Sequence, residues 1–147
     1  MKTSRGKYCL AALPALAMGM ITGVAYGDQD IQSSDGNWKL HATVADTLDI
    51  KKLGEAVVEI TPAAGGNDCP KVSSVVFEMP AHGHGGDVDP KVHYVQNAPL
   101  LVARGRASRC QWRITDLSPS MAGAWRLRLV LKNGDKSSDA DFDINAK

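Results

Sequence analysis

From residue 38 to residue 44 apolar and polar positions alternate. Trp38, Leu40, Ala42 and Val44 fall on one side, and Lys39, His41 and Thr43 on the other. Successive side chains of an extended chain point to opposite faces, so this pattern predicts a half-buried β-strand with His41 on its polar face. Residues 56–60 predict a second strand. Residues 72–79 predict a third, with Val75, Phe77 and Met79 sharing a face. Residues 109–115 alternate again, with Cys110, Trp112 and Ile114 inward and Arg109, Gln111 and Arg113 outward. Shorter candidates at 92–94 and 100–103 each lie beside a proline. The stretch 61–68, rich in Pro, Gly and Asn, reads as a loop.

The C-terminal segment predicts a hairpin. Residues 124–132 and 135–145 flank Asn133-Gly134, a dipeptide suited to a type I′ turn. Pairing outward from that turn sets Arg128 opposite Asp139 and Arg126 opposite Asp141, with Trp125 opposite Phe142 and Leu127 opposite Ala140. Opposite charges then meet on one face and apolar groups on the other. No segment beyond the N-terminal run shows a helical period. Many short strands separated by Gly, Pro and Asn turns predict an all-β sandwich in a single domain. With few aromatic residues in the chain, Trp38, Trp112 and Trp125 are expected to carry much of the packing.

The N-terminus changes the picture of compartment. Lys2, Arg5 and Lys7 precede an apolar run over residues 10–24, and Ala25-Tyr26-Gly27 supplies small residues where a signal peptidase reads them. This predicts a signal peptide over 1–27, cut after Gly27 by the general export route, and a periplasmic protein. The alternative is an uncleaved anchor, but the run is short against the roughly 20 residues of a membrane span. Residues 28–37 are polar and read as a flexible leader, followed by one domain over 38–147. Loss of the three basic residues from 17 leaves 14 against 16 acidic ones, a formal charge of about −2. That balance, without basic clusters interleaved with aromatics, gives no reason to expect nucleic acid or an anionic membrane as partner. Cys9 leaves with the signal. Cys69 and Cys110 remain and are expected to pair as a disulfide in an oxidising compartment, a dithiol metal site being the alternative.

The densest chemistry lies in Phe77-Glu78-Met79-Pro80-Ala81-His82-Gly83-His84-Gly85-Gly86. The pattern Phe-x-Met-Pro-x-x-Gly-His-Gly, followed later by Met121-Ala122-Gly123-Ala124-Trp125, resembles the small exported domains called YtkA-like and the related FixH-like proteins. The resemblance covers roughly residues 55–144. It implies an immunoglobulin-like β-sandwich in an extracytoplasmic setting. Some members of that group occur beside copper-handling or respiratory-oxidase assembly proteins. His82 and the Cys69/Cys110 pair lie outside the group's pattern.

Read as chemistry, the run offers a metal site formed by Met79, His82, His84 and His93, with Met121 as a further candidate. Thioether sulfur prefers Cu(I), and imidazole accepts copper in both states and Zn(II). Copper is therefore the first expectation and zinc the second. Asp87 or Asp89 could ligate zinc or orient an imidazole. His41 stands alone on a polar strand face and is not counted. The structural alternative is that Met79 packs into the sandwich, Pro80 ends a strand, the glycines supply backbone freedom and a histidine bonds to the backbone. Enzymatic signatures are missing: there is no serine in a nucleophile elbow, no Cys-x-x-Cys-His and no calcium loop of EF-hand density. The expected role is that of a non-enzymatic periplasmic accessory protein that binds or delivers a metal to a partner enzyme. The alternative is a non-metal interaction module assisting assembly of a periplasmic or membrane redox enzyme.

Overall fold

A computed structural model describes residues 26–147, apart from 46, 67, 103 and 104. The expected signal peptide, residues 1–27, lies outside that range save for its last two residues. Among the described residues there is no helix; the chain forms ten strands in two sheets, consistent with a β-sandwich. The strands are β1 (Tyr26–Gln32), β2 (Trp38–Ala45), β3 (Thr47–Leu48), β4 (Gly54–Pro62), β5 (Lys71–Met79), β6 (His84–Gly85), β7 (Lys91–Val102), β8 (Gly105–Leu117), β9 (Gly123–Asn133) and β10 (Lys136–Ala146). One sheet runs β1-β2-β4-β8-β7 and the other β3-β10-β9-β5-β6. All neighbours are antiparallel except β3 and β10, which run parallel.

The alternation that predicts these strands also builds the core. Leu40, Ala42 and Val44 of β2, Val58 and Ile60 of β4, and Ile114 of β8 are buried in one cluster with Leu127, Leu129 and Leu131 of β9 and Phe142 and Ile144 of β10. Trp38 and Trp125 belong to that cluster as expected. Trp112 packs against it only partly covered, with the ring of Tyr94 edge-on at 4.9 Å. In β5 a bulge between Val72 and Ser74 inserts one residue, so that Val72 and Val75 both turn toward the core despite their odd spacing. A disulfide joins Cys69, just before β5, to the fully buried Cys110 of β8, their Cα atoms 5.7 Å apart. It ties one sheet to the other.

Three expectations need correction. The stretch read as a flexible leader, residues 28–37, begins inside an edge strand: β1 pairs with β2 from Tyr26↔Ala45 to Gln32↔Lys39. The two short candidates at 92–94 and 100–103 are, as far as residue 102, parts of one strand, β7, which continues through a bulge between Tyr94 and Gln96; residue 103 lies outside the described residues. The C-terminal hairpin is offset by two residues from the expected register. Asp141 faces Arg128, Asp143 faces Arg126, Phe142 faces Leu127 and Ile144 faces Trp125. The physical cause is the turn. The two loop residues are Gly134 and Asp135, and of these only Gly134 has positive φ, 61°. That is the type II′ arrangement, with glycine in the first loop position, and not the type I′ turn centred on Asn133-Gly134. A shift of two preserves the faces, so charges still meet charges. Arg128 donates to both carboxylate oxygens of Asp141 at 2.7 and 2.8 Å and holds that carboxyl below the usual carboxylate range.

Candidate functional site: the turn between β5 and β6

The chain reverses at the end of β5 through a turn whose residues each have a local reason. Pro80 follows Met79 and sets the fixed φ that suits the second position of a β-turn. The amides of His82 and Gly83 both donate to the Met79 carbonyl, at 3.1 and 3.0 Å. Gly83 lies in the left-handed region at φ 64°, which a side chain disfavours. The short strand β6 then returns along β5, with His84 opposite Met79 and Gly85 opposite Glu78. Gly86 donates to the Phe77 carbonyl, and Asp87 to that of Ser118. A Cβ on Gly86 would stand 2.6 Å from the Ser118 carbonyl oxygen, a backbone atom that cannot step aside. Gly86→Ala is therefore expected to cost about 1–3 kcal/mol, as overpacking does. Chemical denaturation measures it, and an unchanged midpoint would contradict so close a crossing.

The two histidines of this turn come together. Directly opposed residues of an antiparallel pair project from the same face, so His84 shares the side of the buried Met79. It is half-buried, with its ring edge-on to Trp125 at a centroid distance of 5.9 Å and its Nδ1 3.2 Å from the Gly85 carbonyl. Trp125 is itself buried, stacked on Phe77 at 4.8 Å, and its indole N–H donates to the Met121 carbonyl at 3.0 Å. His82 is exposed on the turn. Its ring centroid lies 6.0 Å from that of His84, with the planes tilted by 36°. Two imidazoles on one ion, with metal–nitrogen bonds of about 2.0–2.1 Å, hold their ring centres about 5–6.5 Å apart. The separation fits within that span.

The other candidate ligands do not join them. Met79 is a core side chain, 3% exposed, whose methyl end packs toward Gly123. His93 belongs to β7, in the opposite sheet; it is exposed, pairs in register with Arg113, and has its Nε2 3.4 Å from the Thr115 hydroxyl. Among the described residues no three His, Cys, Asp or Glu side chains gather as a metal-binding group. Met121 is exposed beside the site and connects to it through its carbonyl and Trp125. Asp87 and Asp89 lie exposed beyond β6. The residue that sequence reasoning set aside, His41, is the one with close carboxylates: Asp30 at 2.8 Å and Asp28 at 3.8 Å. Finding it required knowing that the polar stretch before Trp38 is a strand paired with β2.

Comparison with known proteins finds no counterpart: no family profile, no curated protein and no solved structure matches this chain.

Proposed function

We propose that this chain is an exported, periplasmic accessory protein that captures a copper ion at the β5–β6 turn through His82 and His84 and serves a partner redox enzyme. The observation that carries the reading is the pair of imidazoles 6.0 Å apart. The rest of the run is accounted for by folding. Phe77 and Met79 fill the core, Pro80 and Gly83 make the turn, and Gly86 lets two backbone segments cross. His82 has no such task. An exposed imidazole is thus held beside the half-buried one of His84, and that arrangement suits capture of an ion.

Copper ranks ahead of zinc on ligand chemistry. A structural zinc site is closed by four ligands, and only two imidazoles meet here. Imidazole accepts copper in both oxidation states, and Cu(I), unlike a closed zinc site, is satisfied by two ligands, which is the number that meet at this turn. An immunoglobulin-like sandwich and kinship with the YtkA-like and FixH-like domains belong to the same proposal and rest on the two sequence motifs. Export rests on the pattern of residues 1–27, with which a Cys69–Cys110 disulfide is compatible. The contact of His84 with Trp125 favours a second reading, in which the turn is purely architectural and the protein docks a partner without metal.

Thermal melting with and without added Cu(II) or Zn(II) separates the two. A ligand that binds only the folded state stabilises it by about 2.7 kcal/mol at one hundred times its dissociation constant. Copper is expected to raise the melting temperature of the wild type and leave the His82→Ala/His84→Ala variant unmoved. An equal rise in the variant, or no rise in either, would remove the proposal. Under the architectural reading His84→Ala lowers the melting temperature with no metal present.

A further inference from the structure

The first strand is held in an unusual way. Of its side chains, Ile31 packs against the core, and only partly buried. Asp28, Gln29 and Asp30 make polar contacts. Thr43 donates to Asp28 at 2.9 Å, and His41 Nδ1 meets Asp30 at 2.8 Å, with Nε2 3.8 Å from Asp28. Toward the other sheet, the Gln29 carboxamide acts as a peptide group would. It donates to the Asp143 carbonyl at 2.6 Å and accepts from the Asp143 amide at 3.3 Å. Two residues beyond β1, Ser34 repeats the device on Asp139: its amide donates to the carbonyl at 2.8 Å and its hydroxyl accepts from the amide at 3.1 Å. The segment thus covers the outer edge of β2 and, at the same time, the edge of β10 that the two-residue β3 leaves open.

We infer that β1 is a pH-operated latch, clamped to β2 when His41 is protonated and released more readily when it is neutral. An imidazolium carries a proton on each nitrogen and can serve Asp30 and Asp28 together, whereas the neutral ring has only one N–H. The groups facing His41 are Asp28 and Asp30 from β1, Glu59 directly opposite on β4, and Lys39 and Thr43 flanking it on β2. Three carboxylates thus surround one imidazole, with Lys39 at the margin. When the ring loses its charge, the carboxylates of β1 are left beside Glu59 with less to offset them. The hydrogen bond to Asp30 raises the His41 pKa, against partial burial, with further attraction from Asp30, Asp28 and Glu59. The sign follows. A group whose pKa is raised in the docked state contributes fully below its ordinary value and loses that contribution as pH rises through the raised one. The latch is therefore tightest in mild acid and loosens toward alkaline pH. Because His41 and Asp30 are both open to solvent, salt weakens the clamp as well. Release uncovers unpaired main-chain groups on β2 and on Asp139 and Asp143 of β10, an edge of the kind that accepts an added strand.

Hydrogen exchange on the purified chain, corrected for intrinsic rates and referenced to the β9 amides, tests this at about pH 5.5 and about pH 8. In the wild type, protection of β1 is expected to fall several-fold between the two while β9 holds. His41→Gln, which keeps a donor and removes the charge, is expected to give the same low protection at both. High salt at the lower pH is expected to lower wild-type protection toward that of the variant. A wild type with no pH dependence in β1, or a His41→Gln chain that keeps it, would overturn the latch. Should His41→Gln disturb β9 as well, Asp30→Asn provides the same comparison from the solvent side of β1, with the same two outcomes.

Discussion

Replacing Trp125 by alanine is expected to remove about 3–5 kcal/mol of stability, the range seen when a large buried aromatic is truncated. Trp125 is among the largest fully buried side chains and sits where β9 enters the sandwich. Three contacts converge on it: the Phe77 stack, the edge contact with His84, and the hydrogen bond to Met121. The loss therefore reaches beyond a cavity. The Met121 carbonyl loses its donor, and the half-buried His84 loses the wall that orients it. Trp125→Phe keeps part of the packing and removes only the indole donor, so a smaller cost is expected. Urea unfolding measures both. A cost below about 1.5 kcal/mol for alanine, which is what volume-conserving core swaps typically stay under, would contradict a closely packed stack. The same substitution couples core to site: any metal affinity that depends on the placement of His84 is expected to fall with it.

Opening the Cys69–Cys110 disulfide is the second large effect. The two cysteines are 41 residues apart in sequence, and the loop-entropy relation gives about 4 kcal/mol for a closure of that length. A domain of this size has only about 5–15 kcal/mol in total. Cys69→Ser combined with Cys110→Ala is the cleaner variant, because position 110 is fully buried and a serine there would strand a hydroxyl. The unfolding midpoint of that variant is expected to match that of the reduced wild type and to lie well below that of the oxidised one. An oxidised wild type no more stable than the variant would show that the bond contributes nothing.

Much of this fold is legible in the sequence because alternation is a local signal. The β2 segment Trp38–Ala45 reads correctly from the residues themselves, and so do the cores of β4, β5 and β8. What failed depends on distant partners. Asp28-Gln29-Asp30-Ile31-Gln32 has no apolar face. It forms a strand because His41, Thr43 and the main chain of Asp143 satisfy its polar groups. The hairpin register is ambiguous in the sequence for a different reason. Arg126 and Arg128 recur every second residue, as do Asp139, Asp141 and Asp143, so a charge ladder cannot distinguish a register from one shifted by two. Only the conformation at Gly134 decides.

The site divides along the same line. His82 and His84 are neighbours on a turn, and their pairing follows from spacing alone. Closeness in sequence suggests His93 as a third ligand, but β7 belongs to the other sheet, which is a matter of topology. Met79 shares a face with Phe77 in the alternation itself, and that face is the core.

The most direct measurement is a titration of purified protein with Cu(I) and Cu(II) against a competing chelator, with Zn(II) as control. The expected result is one copper per chain, held in the wild type and lost in His82→Ala/His84→Ala, whose unfolding midpoint stays near that of the parent. Weak binding that is the same in the double variant would contradict a copper site at the β5–β6 turn and leave that turn as architecture.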